Sequence, residues 1–221
     1  MRNNYLIFFV IFSIFFFSCS KKDVQLPLIK ADGLSNIYNH SSIWLFYKKD
    51  GKDTLAVLNK NNKIINTHWI LHIDKRLTMK YVTPVLIELQ KAKIKPSMHK
   101  KEGSNLYYSY ANTKSNQISL IEFKPTNFQL SKKNQTDSLG DGQMIKVILK
   151  NNKILVNGNS SYMDQLKSML KNYKEKDSLH SSRISFRYDE NISYQKYLQT
   201  KMILSETKIA IDSIEYIYSL K

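Results

Sequence analysis

The chain of 221 residues carries 34 Lys and Arg against 18 Asp and Glu, a formal net charge of +16, and a single cysteine. One cysteine excludes a disulfide scaffold, so any folded core rests on packing. The basic balance invites a nucleic-acid reading, but the lysines are scattered, with no arginine cluster, zinc-ligand spacing or glycine-aromatic RNA motif. We read no nucleic-acid partner, and a solvated lysine surface with attraction to anionic headgroups or wall polymers.

Arg2 precedes an apolar run from Tyr5 to Phe17 that Ser13 alone interrupts. The run falls short of the ~20 apolar residues of a spanning helix and follows the plan of a secretory signal. Ser18 then precedes Cys19, after which the chain turns polar. Residues 1–18 resemble a bacterial lipoprotein signal, which implies lipidation of Cys19 and attachment to the membrane through its acyl chains. Phe16 departs from the leucine usual in that motif. An ordinary signal or an uncleaved anchor with an incidental cysteine is the alternative. More than one acyl chain gives stable attachment, at about 0.8 kcal/mol per buried methylene. Residues 19–40 mix charge with Pro27 and Gly33 and read as a tether.

The first half, 41–124, begins with an apolar run from Ile43 to Tyr47, a turn at Asp50-Gly51 and a second run from Thr54 to Leu58, the signal of a hairpin. After a turn at Asn59 to Asn62, Trp69 to Ile73 forms a strand closed by Asp74. Tyr81, Val82, Leu86 and Leu89 then recur on one helical face, and Thr83-Pro84 suggests a helix that starts at Pro84. Leu106 to Tyr110 and Ile118 to Phe123 read as two more strands, their tyrosines as sheet packing more than as a sugar-stacking surface.

From Pro125 to Gln143 the periodicity lapses, and we place the linker there, at 125–143. The second half, 144–221, opens with Ile145 to Leu149, turns at Asn151-Asn152 and returns through Ile154 to Val156. Ser161 and Asp164 resemble a capping box ahead of a helical face of Met163, Leu166, Met169 and Leu170. Ile184, Phe186 and Tyr188 alternate into a strand closed by Asp189, and Tyr194, Tyr197, Leu198 and Met202 give the next helix. A short element from Ile211 to Tyr218 alternates imperfectly.

Aligning Asp74 with Asp189 pairs Leu77 with Ile192, Thr78 with Ser193, Leu89 with Leu204 and Lys93-Ile94 with Lys208-Ile209. This order and spacing predicts a diverged duplication. The expected fold is α+β: two small mixed-sheet modules, each with helices on one face.

The second half resembles the periplasmic domain of the ExbD/TolR family, small membrane subunits of proton-driven energy-transduction complexes in Gram-negative envelopes. The residues that carry the likeness are Ile145 to Gly158, a capped helix, then Asp189, Ile192 and Tyr194 after the strand. Asp74 and Leu77 fit the same frame, with Met79 in place of the tyrosine. Where the family has Ala-Gly, the chain has Thr207-Lys208 and Ala92-Lys93. The family's spanning helix carries an aspartate that moves the proton; here the apolar run holds no carboxylate. The resemblance therefore implies a periplasm-facing binding module that does not conduct protons and contacts an envelope protein or peptidoglycan; Asp74, Asp189 and Tyr194 are candidate turn positions, either structural or partner-binding.

Catalytic patterns are lacking. His68 and His72 would stand ~13 Å apart on a strand at ~3.3 Å per residue, too far to share a metal ion. His40, His99 and His180 are isolated, and Asp50 with Asp53 or Asp189 with Glu190 read as turn acids. We expect no cofactor, no metal and no enzyme. The rival readings are a carbohydrate- or lipid-binding lipoprotein, which needs an apolar pocket between sheet and helices, and an envelope hydrolase, which needs a cleft with a strongly shifted acid or histidine.

Overall fold

The computed structural model describes residues 23–95, 104–131, 144–150, 153–176 and 182–218. Residues 1–22 with Cys19, His99, His180, the Asn151-Asn152 turn and most of the expected linker lie outside the described residues.

The first sheet holds β1 (Leu28–Ile29), β2 (His40–Asp50), β3 (Asp53–Asn59), β4 (His68–Ile73), β5 (Leu106–Asn112) and β6 (Gln117–Phe123). β2 and β3 form the expected hairpin, with Asp50 opposite Asp53 and Gly51 at φ 57, a conformation that glycine adopts without strain. β4 runs parallel to β2 and β5 parallel to β4, while β6 pairs antiparallel with β5. Between β4 and β5 lies α1 (Met79–Ile94).

The second sheet follows β10-β9-β8-β11-β12-β7, from β7 (Asn127–Ser131), β8 (Met144–Lys150), β9 (Lys153–Val156), β10 (Asn159–Ser161), β11 (Arg183–Asp189) and β12 (Ala210–Tyr218). Its helices are α2 (Leu166–Lys176) and α3 (Tyr194–Glu206). The path β9-β8-β11-β12 repeats β3-β2-β4-β5: a hairpin, a central strand parallel to its first arm, a helix, then another parallel strand. The protein is thus α+β, with two mixed sheets.

Alternation decides which face packs. Trp69, Leu71 and Ile73 of β4 and Ile184, Phe186 and Tyr188 of β11 point to the helices and join one continuous core. α1 contributes Met79, Val82, Leu86 and Leu89; α3 contributes Tyr194, Tyr197, Leu198, Met202 and Leu204. Each large apolar side chain so buried stabilises the fold by roughly 1.5–3 kcal/mol. Thr83 Oγ1 meets Tyr188 Oη at 3.2 Å, and Tyr108 packs edge-on against Tyr194 with ring centroids 6.0 Å apart, so each half reaches into the other.

The two turns after the central strands meet. Thr78 and Ser193 form an antiparallel bridge. Met79 N donates to Ile192 O at 2.9 Å, and Tyr194 N donates to Leu77 O at 2.7 Å. Lys80 N reaches Glu190 O at 2.6 Å, and Gln195 N reaches Lys75 O at 3.4 Å. Under the Asp74–Asp189 alignment each pair of bonds maps onto its mate, so the contact is two-fold in its backbone pattern. It also explains where α1 begins. A helix leaves its first N–H groups without internal partners, and here the opposite turn accepts two of them. Thr78 is the N-cap without a side-chain cap bond, and Pro84 lies inside the helix, not at its start.

Three further expectations change. Asn127–Ser131, read as linker, is a strand parallel to β12, because the edge of β12 offers unpaired backbone groups. Ser161 ends β10 and its hydroxyl donates to Tyr162 O, so it does not cap α2, which begins at Leu166. The tether is ordered from Gln25 on: Leu28 N donates to Gln195 Oε1, Ala111 N to Pro27 O, and Leu34 pairs with Leu120. Gly33 permits that course, since a Cβ there would press on the Tyr110 hydroxyl and lie 2.8 Å from Leu120 O. The alignment also fails at the helix ends: Lys93 is still helical, whereas Lys208 lies beyond α3 at φ 56.

Candidate binding cleft

Asp74 and Asp189 are buried at the ends of β4 and β11, and each carboxylate accepts the N–H two residues on, Arg76 N at 2.9 Å and Asn191 N at 2.8 Å. Each carbonyl also accepts the N–H three residues on, from Leu77 at 3.2 Å and Ile192 at 3.1 Å. These bonds shape the turn. Burial raises the Asp74 pKa, but hydrogen bonds from the Arg76 side chain and from the backbone of Arg76 and Gln25 outweigh it and hold the carboxyl below the ordinary range. Arg76 lies over the Tyr47 ring at 4.4 Å. Tyr194 is fully buried. The side chains of Asp74, Asp189 and Tyr194 are thus all buried, and those of the two aspartates bond within their own turns.

The histidines separate as strand geometry requires. His68 Nδ1 accepts Asn105 N at 3.1 Å and its ring meets Tyr107 edge-on. His72 stacks on Trp44 at 4.0 Å and bonds Ser109 at 2.9 Å. Among the described residues no group of three or more His, Cys, Asp or Glu is placed to hold a metal ion. Tyr107, Tyr108 and Tyr110 are buried, so β5 offers no stacking surface.

A cleft of about 620 Å³ opens where the chain crosses from one sheet to the other. One wall comes from Tyr108, Ile121 and Phe123, the other from Leu198, Lys201 and Ile209. Tyr108 and Phe123 meet edge-on at 5.0 Å across the paired strands. The crossing, Lys124 to Thr126, is clamped by Gln90, whose Nε2 donates to Thr126 O at 3.0 Å while its Oε1 accepts Thr126 N at 2.9 Å. Ala210 to Ser213 of β12 line the far side, ahead of the point where β7 joins at Ile214.

Below the cleft, Glu215 is buried and accepts the Tyr197 hydroxyl at 2.9 Å and the Lys201 ammonium. A buried carboxylate is stable when charged only with such partners. Burial pushes the hydroxyls of Tyr108, Tyr188, Tyr194 and Tyr197 well above the usual phenol range, so all four remain protonated. Lys201 and Glu215 escaped the sequence reading. The one signal was Glu215 itself, a charge at an inward position that broke the alternation of Ile211 to Tyr218.

Among the described residues no helix is long and apolar enough to cross a membrane. In comparisons with known proteins the chain matches no family model, no curated protein and no solved structure.

Proposed function

We propose that this chain is a non-enzymatic, lipid-anchored envelope protein of Gram-negative type, facing the periplasm. In this reading its two halves are diverged duplicates of an ExbD/TolR-like module, and together they bind a periplasmic protein or peptidoglycan beside an energy-transduction system. The observation that carries it is the exchange of backbone bonds around Thr78 and Ser193, which repeats under one alignment of the two halves. The anchor follows from Cys19 after its apolar run. The test has two parts. Radiolabelled palmitate should enter the chain and be lost in Cys19→Ser. In-cell cross-linking should then return an envelope protein or peptidoglycan repeatedly; a chain that takes no label and captures neither overturns the proposal.

A second reading has its own observation. The cleft between sheet and helices, with its aromatic and aliphatic walls, is what a carbohydrate- or lipid-binding protein would need.

A further inference from the structure

The ordered tether fixes where the fold meets its anchor. Gln25 N donates to Asp74 Oδ2 at 3.1 Å and Gln25 O accepts Lys75 N at 2.7 Å, beside the crossing of the turns. Leu28 is then held by α3. Its N–H donates to Gln195 Oε1 at 2.8 Å, and its carbonyl accepts Gln195 Nε2 at 2.8 Å and Gln199 Nε2 at 3.2 Å. The segment is thus bonded to both halves. Gln25 follows Cys19 by six positions, a span of at most about 22 Å even when fully extended. The folded body is longer, since the 11 residues of β2 alone extend ~36 Å at ~3.3 Å per residue.

Strand register places the rest. Leu45 of β2 lies opposite Ile73, so the hairpin from Lys48 to Lys52 runs on past the Asp74 turn. The second half is built alike: Leu149 lies opposite Tyr188, so Lys150 and Lys153 stand beside the Asp189 turn. Both α1 and α3 start at this end, where Thr78 bridges Ser193. The cleft is at the other end. Phe123 lies opposite Leu106, itself opposite Trp69 near the start of β4, and Ala210 lies opposite Arg183, the first residue of β11. Charge does not choose between the ends: exposed lysines occur at both, and at the β2–β3 tip Lys48, Lys49 and Lys52 stand among Asp50 and Asp53. The tether does.

We propose that the end carrying the two turns and the two hairpin tips rests on the bilayer surface, with the cleft end turned away from it. The proposal rests on the lipid-anchored reading above and names the surface that the anchor brings to the headgroups. With the opposite end down, Gln25 would stand farther from the bilayer than its link to Cys19 can reach. With this end down, the link suffices, and Lys48, Lys49 and Lys52 extend their ammonium groups to headgroup phosphates while β2 and β3 stay paired. The cleft then opens away from the bilayer.

The test uses the full chain, purified from membranes and placed in vesicles of phosphatidylethanolamine and phosphatidylglycerol doped with a nitroxide-headgroup lipid. Acylation leaves Cys19, the sole native cysteine, without a free thiol. A bimane can therefore be attached singly at the exposed positions of Lys52→Cys, Lys80→Cys, Lys124→Cys or Ser205→Cys. The nitroxide should quench the label strongly at 52 and 80 and leave it bright at 124 and 205. A Gly-Ser spacer inserted after Lys22, adding about 25 Å of reach, should erase that contrast while the chain still floats with the vesicles. Equal quenching at all positions, or stronger quenching at 124 and 205, overturns the orientation and leaves the anchor standing. A contrast that survives the spacer overturns the short tether as its cause. If the chain without the spacer does not float with vesicles, the lipid-anchored reading falls and the proposal with it.

Discussion

His72 and Arg187 occupy the same place, two residues before the turn aspartate on the outer face of each central strand, and they meet burial in opposite ways. His72, 8 % exposed, lies between Trp44, Ser42 and Ser109, and burial together with the nearby His40 charge lowers its pKa to about 4, so it is neutral at pH 7. Arg187, 4 % exposed, cannot shed its charge. It lies over the Tyr216 ring at 4.7 Å and donates to the Tyr218 hydroxyl at 3.1 Å. The inner faces and the turns of the two halves agree because each packs on or bonds to the other. The outer faces are free of that constraint and differ in chemistry. The turns show the same divide: Arg76 pairs with Asp74, whereas the matching Asn191 contributes its backbone N–H to Asp189.

The agreement is tested most severely at Leu77 and Ile192, both almost fully buried beneath the crossing of the turns. Leu77→Ala and Ile192→Ala should each destabilise by about 2–5 kcal/mol in urea unfolding. Similar losses sharpen the equivalence of the halves, and a negligible loss at one position breaks it.

The contrast on the outer faces predicts a difference in acid. Between about pH 6.5 and 4 the unfolded chain binds a proton at His72 that the folded chain refuses, so stability falls as pH falls. The loss is on the order of 3 kcal/mol across that window. His72→Phe should flatten the curve of melting temperature against pH there, and Arg187→Leu should leave its slope unchanged. Asp74 acts lower: its depressed pKa contributes stability that is lost only as pH falls through and below the ordinary carboxylate range. An unchanged curve in His72→Phe would remove the neutral-histidine account.

The smallest effect concerns the contact between halves. Tyr188→Phe deletes the hydroxyl that meets Thr83 at 3.2 Å and should cost about 1 kcal/mol. A double-mutant cycle with Thr83→Val should show coupling; additive costs would mean that the two groups do not interact.

Much of the scaffold was legible in local pattern. Ile184, Phe186 and Tyr188 alternate, Asp189 turns the chain and Tyr194, Tyr197, Leu198 and Met202 follow at helical spacing, and the structure has β11, a turn and α3 there. The same unit was readable from Trp69 to Leu89. The cleft was not, since Tyr108, Leu198, Lys201 and Ile211 come from three separated elements and no short-range period links them.

The residues by themselves determined the elements and which face of each is apolar, because backbone geometry makes a period of two or of 3.6 visible within a few positions. Tertiary structure alone decided the rest. α1 starts at Met79 because Ile192 and Glu190 accept its first N–H groups, Asn127–Ser131 became a strand because β12 had an open edge, and Lys201 lies beside Glu215 because the buried acid needs a cation. Each of these depends on a partner distant in sequence, and a polar group's need for a partner becomes specific only once packing has removed the water.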